Sequence, residues 1–188
     1  SMPIKTSELK KGQVILHEGT RFTVKDIQHV AKGNWRRYYQ IKLKDFNTGR
    51  VVEQRFAVDD RIETLFVQTK ELEYLYREGD NLILADPETY DQIPVSIDIV
   101  GDGMQWLKEN FRLTCNIIDS QVVSAEVPIM VELQIVDTAP VVRGATATNQ
   151  NKEAILETGA KVRVPPFIDK GERVRVDTRT GEYMERAK

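Results

Sequence analysis

The feature that most constrains the fold is a series of short alternating segments, separated by turn signals, that recurs along nearly the whole chain. The run from Tyr39 to Leu43 alternates apolar and polar side chains, so its apolar residues share one face of a predicted strand. A turn signal follows at residues 47–49, and residues 51–58 form the next predicted strand. Short strands joined by turns every 8 to 12 residues or so are typical of sandwiches and small barrels. The sequence therefore predicts an all-β protein.

Turn signals and apolar runs divide the chain into three predicted β-domains of roughly equal length, each a small barrel. Their expected bounds are residues 1–65, 66–128 and 129–188. The strands that we expect in the second and third domains are residues 72–76, 81–85, 113–118, 131–136, 160–164 and 173–177.

The second predicted domain also holds the one segment with a helical pattern. Met104, Leu107 and Phe111 follow i, i+3, i+7 spacing after the polar cluster at residues 101–103. Trp106 lies beside this apolar stripe, and core packing explains it more simply than a ligand platform does. We expect one helix here, with Trp106 in the core.

The sequence offers little with which to do chemistry. The single cysteine, Cys115, lies in the apolar run 113–118, which indicates packing rather than nucleophilic attack and fits a reducing cytosol. His17 and His29 show no metal-ligand spacing. The sequence also shows no nucleophile–base pair, phosphate-binding glycine loop, signal peptide or run of 18 apolar residues. We expect a cytoplasmic protein that is not an enzyme, holds no metal or cofactor and does not enter a membrane.

Charge is distributed unevenly along the chain, although the net charge is only −2. Residues 1–66 hold 13 Lys and Arg against 8 Asp and Glu, whereas residues 67–188 hold 14 against 21. A basic end on an acidic body indicates that the basic end faces phosphates, with an incidental solvation pattern as the alternative.

A twenty-residue stretch near the C-terminus carries a family resemblance. It resembles the signature of the elongation factor P family at all eight of its restricted positions, which are Lys152, Ala154, Gly159, Val162, Val164, Pro165, Ile168 and Gly171. Residues 74–76, 131–140 and 177–183 are similar to the family as well. Turn formation alone would explain the residue types but not their joint spacing. The resemblance covers the whole chain and includes the bacterial factor and its elongation factor P-like relatives.

The resemblance implies a fold and a role in translation. The expected fold is an SH3-like (KOW-type) barrel followed by two OB-fold barrels in an L-shaped, tRNA-like arrangement. The expected partners of the monomer are the 70S ribosome, the P-site peptidyl-tRNA and the E-site mRNA codon. Members of the family relieve stalling, notably at consecutive prolines, by positioning peptidyl-tRNA rather than by chemistry of their own.

In this family a loop of the first domain reaches towards the acceptor end of the P-site tRNA. An ungapped count from residues 42–43 places its tip, which usually bears a modified lysine or arginine, at Asn34. Asparagine has neither the amine nor the guanidine that the known modifications need, and Lys32 is the alternative modified residue if the hairpin register is shifted. Gly33-Asn34 is a predicted two-residue turn. The candidate tRNA-binding residues of this acceptor-end loop are Lys32, Gly33, Asn34, Trp35, Arg36 and Arg37.

The resemblance implies two further sites in the third predicted domain. A polar loop matches the family segment that meets the E-site codon, and its small residues and amides suit hydrogen bonding to base edges. A flexible linker is the alternative for this third-domain loop, which comprises Gly144, Ala145, Thr146, Ala147, Thr148 and Asn149. Tyr183 and Arg186 match positions that contact the anticodon stem of the P-site tRNA, where stacking and phosphate pairing are suitable chemistry.

Two alternative functions stay open at the level of sequence. The nonstandard Asn34 is compatible with an elongation factor P-like paralogue that acts on a narrower set of stalling sequences. A generic OB-fold RNA-binding protein is the other, although the 14 aromatic residues show no ladder of the kind that such proteins carry on their strands.

Overall fold

The computed structural model of the chain describes residues 1–33, 36–142 and 150–188. In these ranges the protein is built from three antiparallel sheets, which confirms the predicted all-β class. The described residues form two compact units, one of Ser1–Gln68 with Ile117–Val123 and the other of Thr69–Asn116 with Ser124–Lys188. None of the helices in these ranges has the length and apolar character needed to cross a membrane.

The first sheet has six strands in the order β1-β6-β2-β3-β4-β5. Ile41 and Leu43 are completely buried on one face of its fourth strand, as the alternation predicts, while Lys42 and Lys44 are exposed on the other face. The strands are β1 (Met2–Lys5), β2 (Val14–His17), β3 (Thr20–Lys32), β4 (Arg36–Asp45), β5 (Val51–Ala57) and β6 (Arg61–Leu65).

The second sheet has the order β11-β10-β7-β8-β9. Its strands are β7 (Gln68–Glu78), β8 (Asn81–Ala85), β9 (Gln92–Ser96), β10 (Arg112–Ile118) and β11 (Gln121–Glu126).

The helix predicted through Met104, Leu107 and Phe111 is wrong. A short helix α1 spans Ile97–Val100, a 3-10 helix spans Gly101–Trp106, and Leu107 already has extended backbone angles. Trp106 and Leu107 are nevertheless buried, so the spacing records burial and not helicity.

The third sheet has the order β14-β13-β12-β15-β16, and β14 also approaches β16, so the sheet curves towards closure. Trp106 lies in the core over this sheet, which confirms its predicted packing role. The strands are β12 (Met130–Thr138), β13 (Lys152–Leu156), β14 (Lys161–Val164), β15 (Arg173–Asp177) and β16 (Glu182–Arg186).

Candidate nucleic-acid interface

The hairpin of β3 and β4 extends beyond the rest of its sheet. Pairing between β4 and β5 stops at Tyr38↔Ala57, whereas β3 and β4 continue to pair as far as Lys32↔Arg36. We call residues 31–37 the arm. Two further residue pairs at about 3.4 Å per residue carry the arm about 7 Å past the end of β5. The arm is therefore a two-stranded projection at the basic end of the sequence.

Lys32 pairs with Arg36, so residues 33–35 lie between the paired strands and Asn34 is the middle one in sequence. The predicted turn at Gly33-Asn34 falls partly outside the described residues and stays a prediction. Gly33 has φ +62°, a left-handed conformation that glycine adopts without strain.

Only part of the predicted acceptor-end loop can be located. Asn34 and Trp35 lie outside the described residues, as do the side chains of Lys32 and Arg36. Arg37 is exposed and lies opposite Ala31 in the arm.

Two aromatic contacts fix the root of the arm, one on each face of the sheet. The imidazole of His29 stacks on the ring of Tyr39, with centroids 4.8 Å apart and planes 26° apart. On the opposite face the guanidinium carbon of Arg55 lies 4.1 Å from the ring centroid of Tyr38. Successive strand residues point to opposite faces, so Tyr38 and Tyr39 tie the arm to the sheet on both sides. The sequence pattern does not indicate a role for His29 or Arg55, nor does it predict this pair of contacts.

The face of the first sheet that bears Tyr38 is basic. Lys42 and Lys44 share this face on β4, and Arg55 of β5 lies there against the Tyr38 ring. A carboxylate also lies there, since Glu53 accepts a hydrogen bond from Gln40 at 2.9 Å and lies 3.9 Å from the Lys42 ammonium. This face therefore carries positive charge up to the root of the arm.

The third-domain loop at residues 144–149 lies outside the described residues, but its base does not. The Lys152 ammonium donates a hydrogen bond to the Ala139 carbonyl at 2.5 Å, and the Arg163 guanidinium donates to the Asn151 carbonyl at 2.5 Å. The hydroxyl of Thr138 donates to the carbonyl of Glu153 at 2.9 Å. Side-chain donors therefore tie Ala139, at one end of this loop, to β13 and Asn151, at its other end, to β14. Lys152 is the first position of the family signature, so the structure gives that lysine a local role.

A β-bulge brings Tyr183 and Arg186 to the same face of β16. Residues three apart on a regular strand point to opposite faces. Here Tyr183 lies opposite Val176 and Arg186 opposite Val174, because the register between β15 and β16 shifts by one residue between these pairs. Val174 and Val176 are completely buried, so both candidate residues project from the side of the strand that faces the core.

Around Arg186 lies a group of four side chains that we call the C-terminal cluster: Phe167, Glu172, Tyr183 and Arg186. The Arg186 guanidinium lies 5.0 Å from the Phe167 ring centroid, and its Nε lies 2.8 Å from Glu172 Oε1. Tyr183 packs against the core of the third sheet, and burial raises the pKa of its phenol above the ordinary value of 10. Phe167 and Glu172 were not predicted as site residues, since they belong to a non-repetitive segment without a periodic signal.

The acidic residues concentrate in the middle of the chain. Residues 67–128 hold 12 Asp and Glu against 4 Lys and Arg, whereas residues 129–188 hold 9 against 10. The acid excess of the sequence thus belongs to the segment without a candidate RNA contact. An acidic segment repels phosphates, whereas residues 1–66 have an excess of positive charge and residues 129–188 are nearly neutral.

The one cysteine is unsuited to catalysis. Cys115 is completely buried, and burial raises the pKa of its thiol to about 11. The thiolate that acts as a nucleophile is therefore scarce at neutral pH. This confirms the interpretation of Cys115 as a packing residue.

Family models match nearly the whole chain. Residues 5–62 match the elongation factor P KOW-like domain, residues 67–125 match the elongation factor P OB domain, and residues 131–186 match the C-terminal model of elongation factor P.

Full-length relatives and solved structures agree with these matches. Elongation factor P of Chloroflexus aggregans is 44% identical over 183 residues, which cover 96% of this chain and 97% of the relative. Elongation factor P of Coprothermobacter proteolyticus is 40% identical over 97% of this chain and 98% of its own length.

Among solved structures, a translation initiation factor 5A from Methanococcus jannaschii has a TM-score of 0.53 at 15% identity. The alignment covers 68% of this chain and 92% of that one. At this identity the similarity concerns the fold alone.

Proposed function

Because the chain belongs to the elongation factor P family, we propose that it binds the 70S ribosome between the P and E sites and promotes peptide-bond formation on stalled sequences such as consecutive prolines. The observation that carries this proposal is the unbroken similarity to full-length elongation factors, which extends over 96% of the chain. The protein acts as a monomer in the cytoplasm.

Positioning of the peptidyl-tRNA is the proposed mechanism, and the protein itself performs no reaction. An oriented substrate reacts faster because the entropy of alignment is lost before the transition state is reached. The arm suits this task, since the contacts of Tyr38 and Tyr39 hold its root while its end projects past β5. No cofactor enters the mechanism.

The acceptor end of the P-site tRNA is the proposed target of the arm. Lys32, Arg36 and Arg37 supply positive charge for phosphates, and Trp35 supplies an aromatic ring for stacking. Asn34 at the tip acts unmodified, because it carries no amine or guanidine. In this proposal the arm, whose root is held in place, extends to the tRNA without the added length that a modified side chain gives other members of the family.

The third domain provides the remaining RNA contacts in this proposal. The loop at residues 144–149 meets the E-site codon, with Lys152 and Arg163 holding its base. Tyr183 and Arg186 contact the anticodon stem of the P-site tRNA. In this arrangement the three domains, residues 1–65, 66–128 and 129–188, place RNA contacts at both ends of the chain and the acidic segment between them.

Asn34 favours a second candidate function within the same family, that of a paralogue with a narrower set of stalling sequences. The two candidates differ in their targets and not in their mechanism. Ribosome profiling of a deletion strain distinguishes them, because the paralogue leaves most consecutive-proline sites unaffected.

A reconstituted translation reaction tests the main proposal. We expect the purified protein to raise the yield of a diproline-containing peptide and to leave a matched template without prolines unaffected. An established elongation factor P serves as the parallel control. If the established factor raises the yield and this protein does not, the proposed function is wrong.

A further inference from the structure

We propose that Phe167 is a further RNA-contacting residue, which forms with Arg186 a platform for one nucleotide. This inference rests on the proposed function and extends it to a residue outside the sites predicted from the sequence. The platform combines a flat apolar face with a cation, which is the pairing that proteins use to hold a base and its phosphate.

The exposure of Phe167 is maintained by its neighbours. The ring is 54% exposed, whereas the next residue, Ile168, is completely buried in the core. Pro165 and Pro166 precede it and restrict the backbone, and the Ile168 N–H donates to the Pro165 carbonyl at 3.2 Å. A buried anchor on one side and two prolines on the other leave the ring little freedom to turn inwards. The chain therefore presents a large apolar ring to solvent on a fixed backbone.

Glu172 orients the cation of this platform. One of its carboxylate oxygens lies 2.8 Å from Arg186 Nε, and the other accepts the Asp169 N–H at 2.6 Å. Arg186 also donates to the Phe167 carbonyl at 3.2 Å. The guanidinium is thus held over the ring by the turn that follows Phe167.

The remaining chemistry of the platform points to a nucleotide. Arginine has five N–H donors, and the described partners of Arg186 use two of them. The others can bind a phosphate oxygen, while the exposed ring of Phe167 can stack on a base or ribose. The local charge permits this, since residues 129–188 are nearly neutral in contrast to the acidic segment before them. The alternative partner is an acidic protein segment, which could pair with the guanidinium of Arg186. Such a segment has no flat ring to stack on Phe167, so it would use only part of the platform.

Binding to ribosomes that carry a P-site tRNA tests the inference. We compare the wild type with Phe167→Leu, which keeps an apolar side chain of similar size, and with Tyr76→Leu, which changes an aromatic residue of similar exposure (45%) on β7. We expect Phe167→Leu to raise the dissociation constant about tenfold, as for the loss of one stacked ring, and Tyr76→Leu to leave it unchanged. Equal affinity of Phe167→Leu and wild type would overturn the inference.

A double-mutant cycle with Arg186→Met distinguishes a shared platform from two separate contacts. If both side chains hold one nucleotide, the double variant loses less affinity than the product of the single losses, by at least about twofold. Strictly multiplicative losses contradict the platform. Thermal unfolding of each variant shows that the fold is intact.

A photoreactive benzophenone carried at position 167 identifies the partner. We expect it to cross-link to RNA, and cross-linking to ribosomal protein alone would overturn the inference. The diproline assay is run in parallel. Stimulation by the wild type together with unimpaired ribosome binding by Phe167→Leu refutes the platform and leaves the proposed function standing.

Discussion

Replacement of Gly33 by alanine tests whether the arm works through a defined tip conformation. Gly33 has φ +62°, and a Cβ added there would meet no atom within 4 Å. The cost of Gly33→Ala is therefore backbone strain alone, which is about 1 kcal/mol for an L-residue in the left-handed region. One kcal/mol corresponds to about a fivefold change in an equilibrium constant. If the tip must keep its conformation to act, the concentration of factor that gives half-maximal diproline synthesis rises about fivefold.

The chain offers a matched control in Gly19, at the turn between β2 and β3. Gly19 has φ +79° and likewise has no atom within 4 Å of an added Cβ, so Gly19→Ala introduces the same strain in the same sheet but away from the arm. We expect both alanine variants to lower the free energy of unfolding, measured in urea, by about the same amount of about 1 kcal/mol.

Activity separates the two glycine variants. Only Gly33→Ala should raise the half-maximal concentration, and Gly33→Asn should be milder because asparagine tolerates positive φ. An equal loss of activity in both alanine variants would mean that general instability of the sheet causes the loss, which would contradict a specific role of the tip conformation. Full activity of Gly33→Ala would show that the tip conformation is irrelevant to function.

Three further predictions concern the arm and the third-domain loop. Arg37→Glu should weaken ribosome binding and make the affinity less dependent on salt, because one exposed phosphate contact is lost. Lys161→Glu on β14 is the control, and it should change neither the affinity nor its salt dependence. Binding titrations at several salt concentrations measure both quantities. Lys152→Met should lower diproline synthesis with little change in thermal stability, and Lys152→Arg should retain the synthesis. An equal loss of synthesis in the control Lys161→Met would contradict the role of the loop base. Protein from the native organism should have its unmodified mass, and an added mass on Lys32 would refute an unmodified Asn34 tip.

Strands were predictable where an alternation or an apolar run in the sequence matched their burial. Residues 81–85 and 173–177 form strands with the predicted bounds, because their alternation or apolar run matches how they pack. The expected helix fails because Leu107 is buried on extended backbone and Met104 belongs only to a 3-10 helix that ends at Trp106. The strands that were not predicted are β1, β2, β6, β9, β11, β13 and β16. The alternation of β16 is broken by its bulge, and its exposed residues give no apolar signal.

The geometry of the candidate sites could not be predicted from the sequence. Tyr183 and Arg186 lie on one face of β16 only because of a bulge, which has no counterpart in a count of residues. Phe167 lies 19 residues from Arg186 in sequence, and their contact depends on how β14 and β16 meet. The root of the arm likewise depends on the register that sets Arg55 against Tyr38. Cross-strand contacts of this kind are set by tertiary structure and not by local pattern.

The family signature is explained mainly by the folding of the third sheet. Its apolar positions lie in the core and two of its glycines have positive φ, so most of the signature identifies a fold. Two positions differ: the Lys152 ammonium donates to the Ala139 carbonyl and does not pack in the core, and Pro165 is only half-buried. A chain can therefore match the signature completely whatever residue occupies the tip of its arm, which the sequence count predicts to be Asn34 here. The match specifies the fold of the third sheet and carries no information about the residue at the tip of the arm. The positions explained by packing or backbone conformation are Ala154, Gly159, Val162, Val164, Ile168 and Gly171.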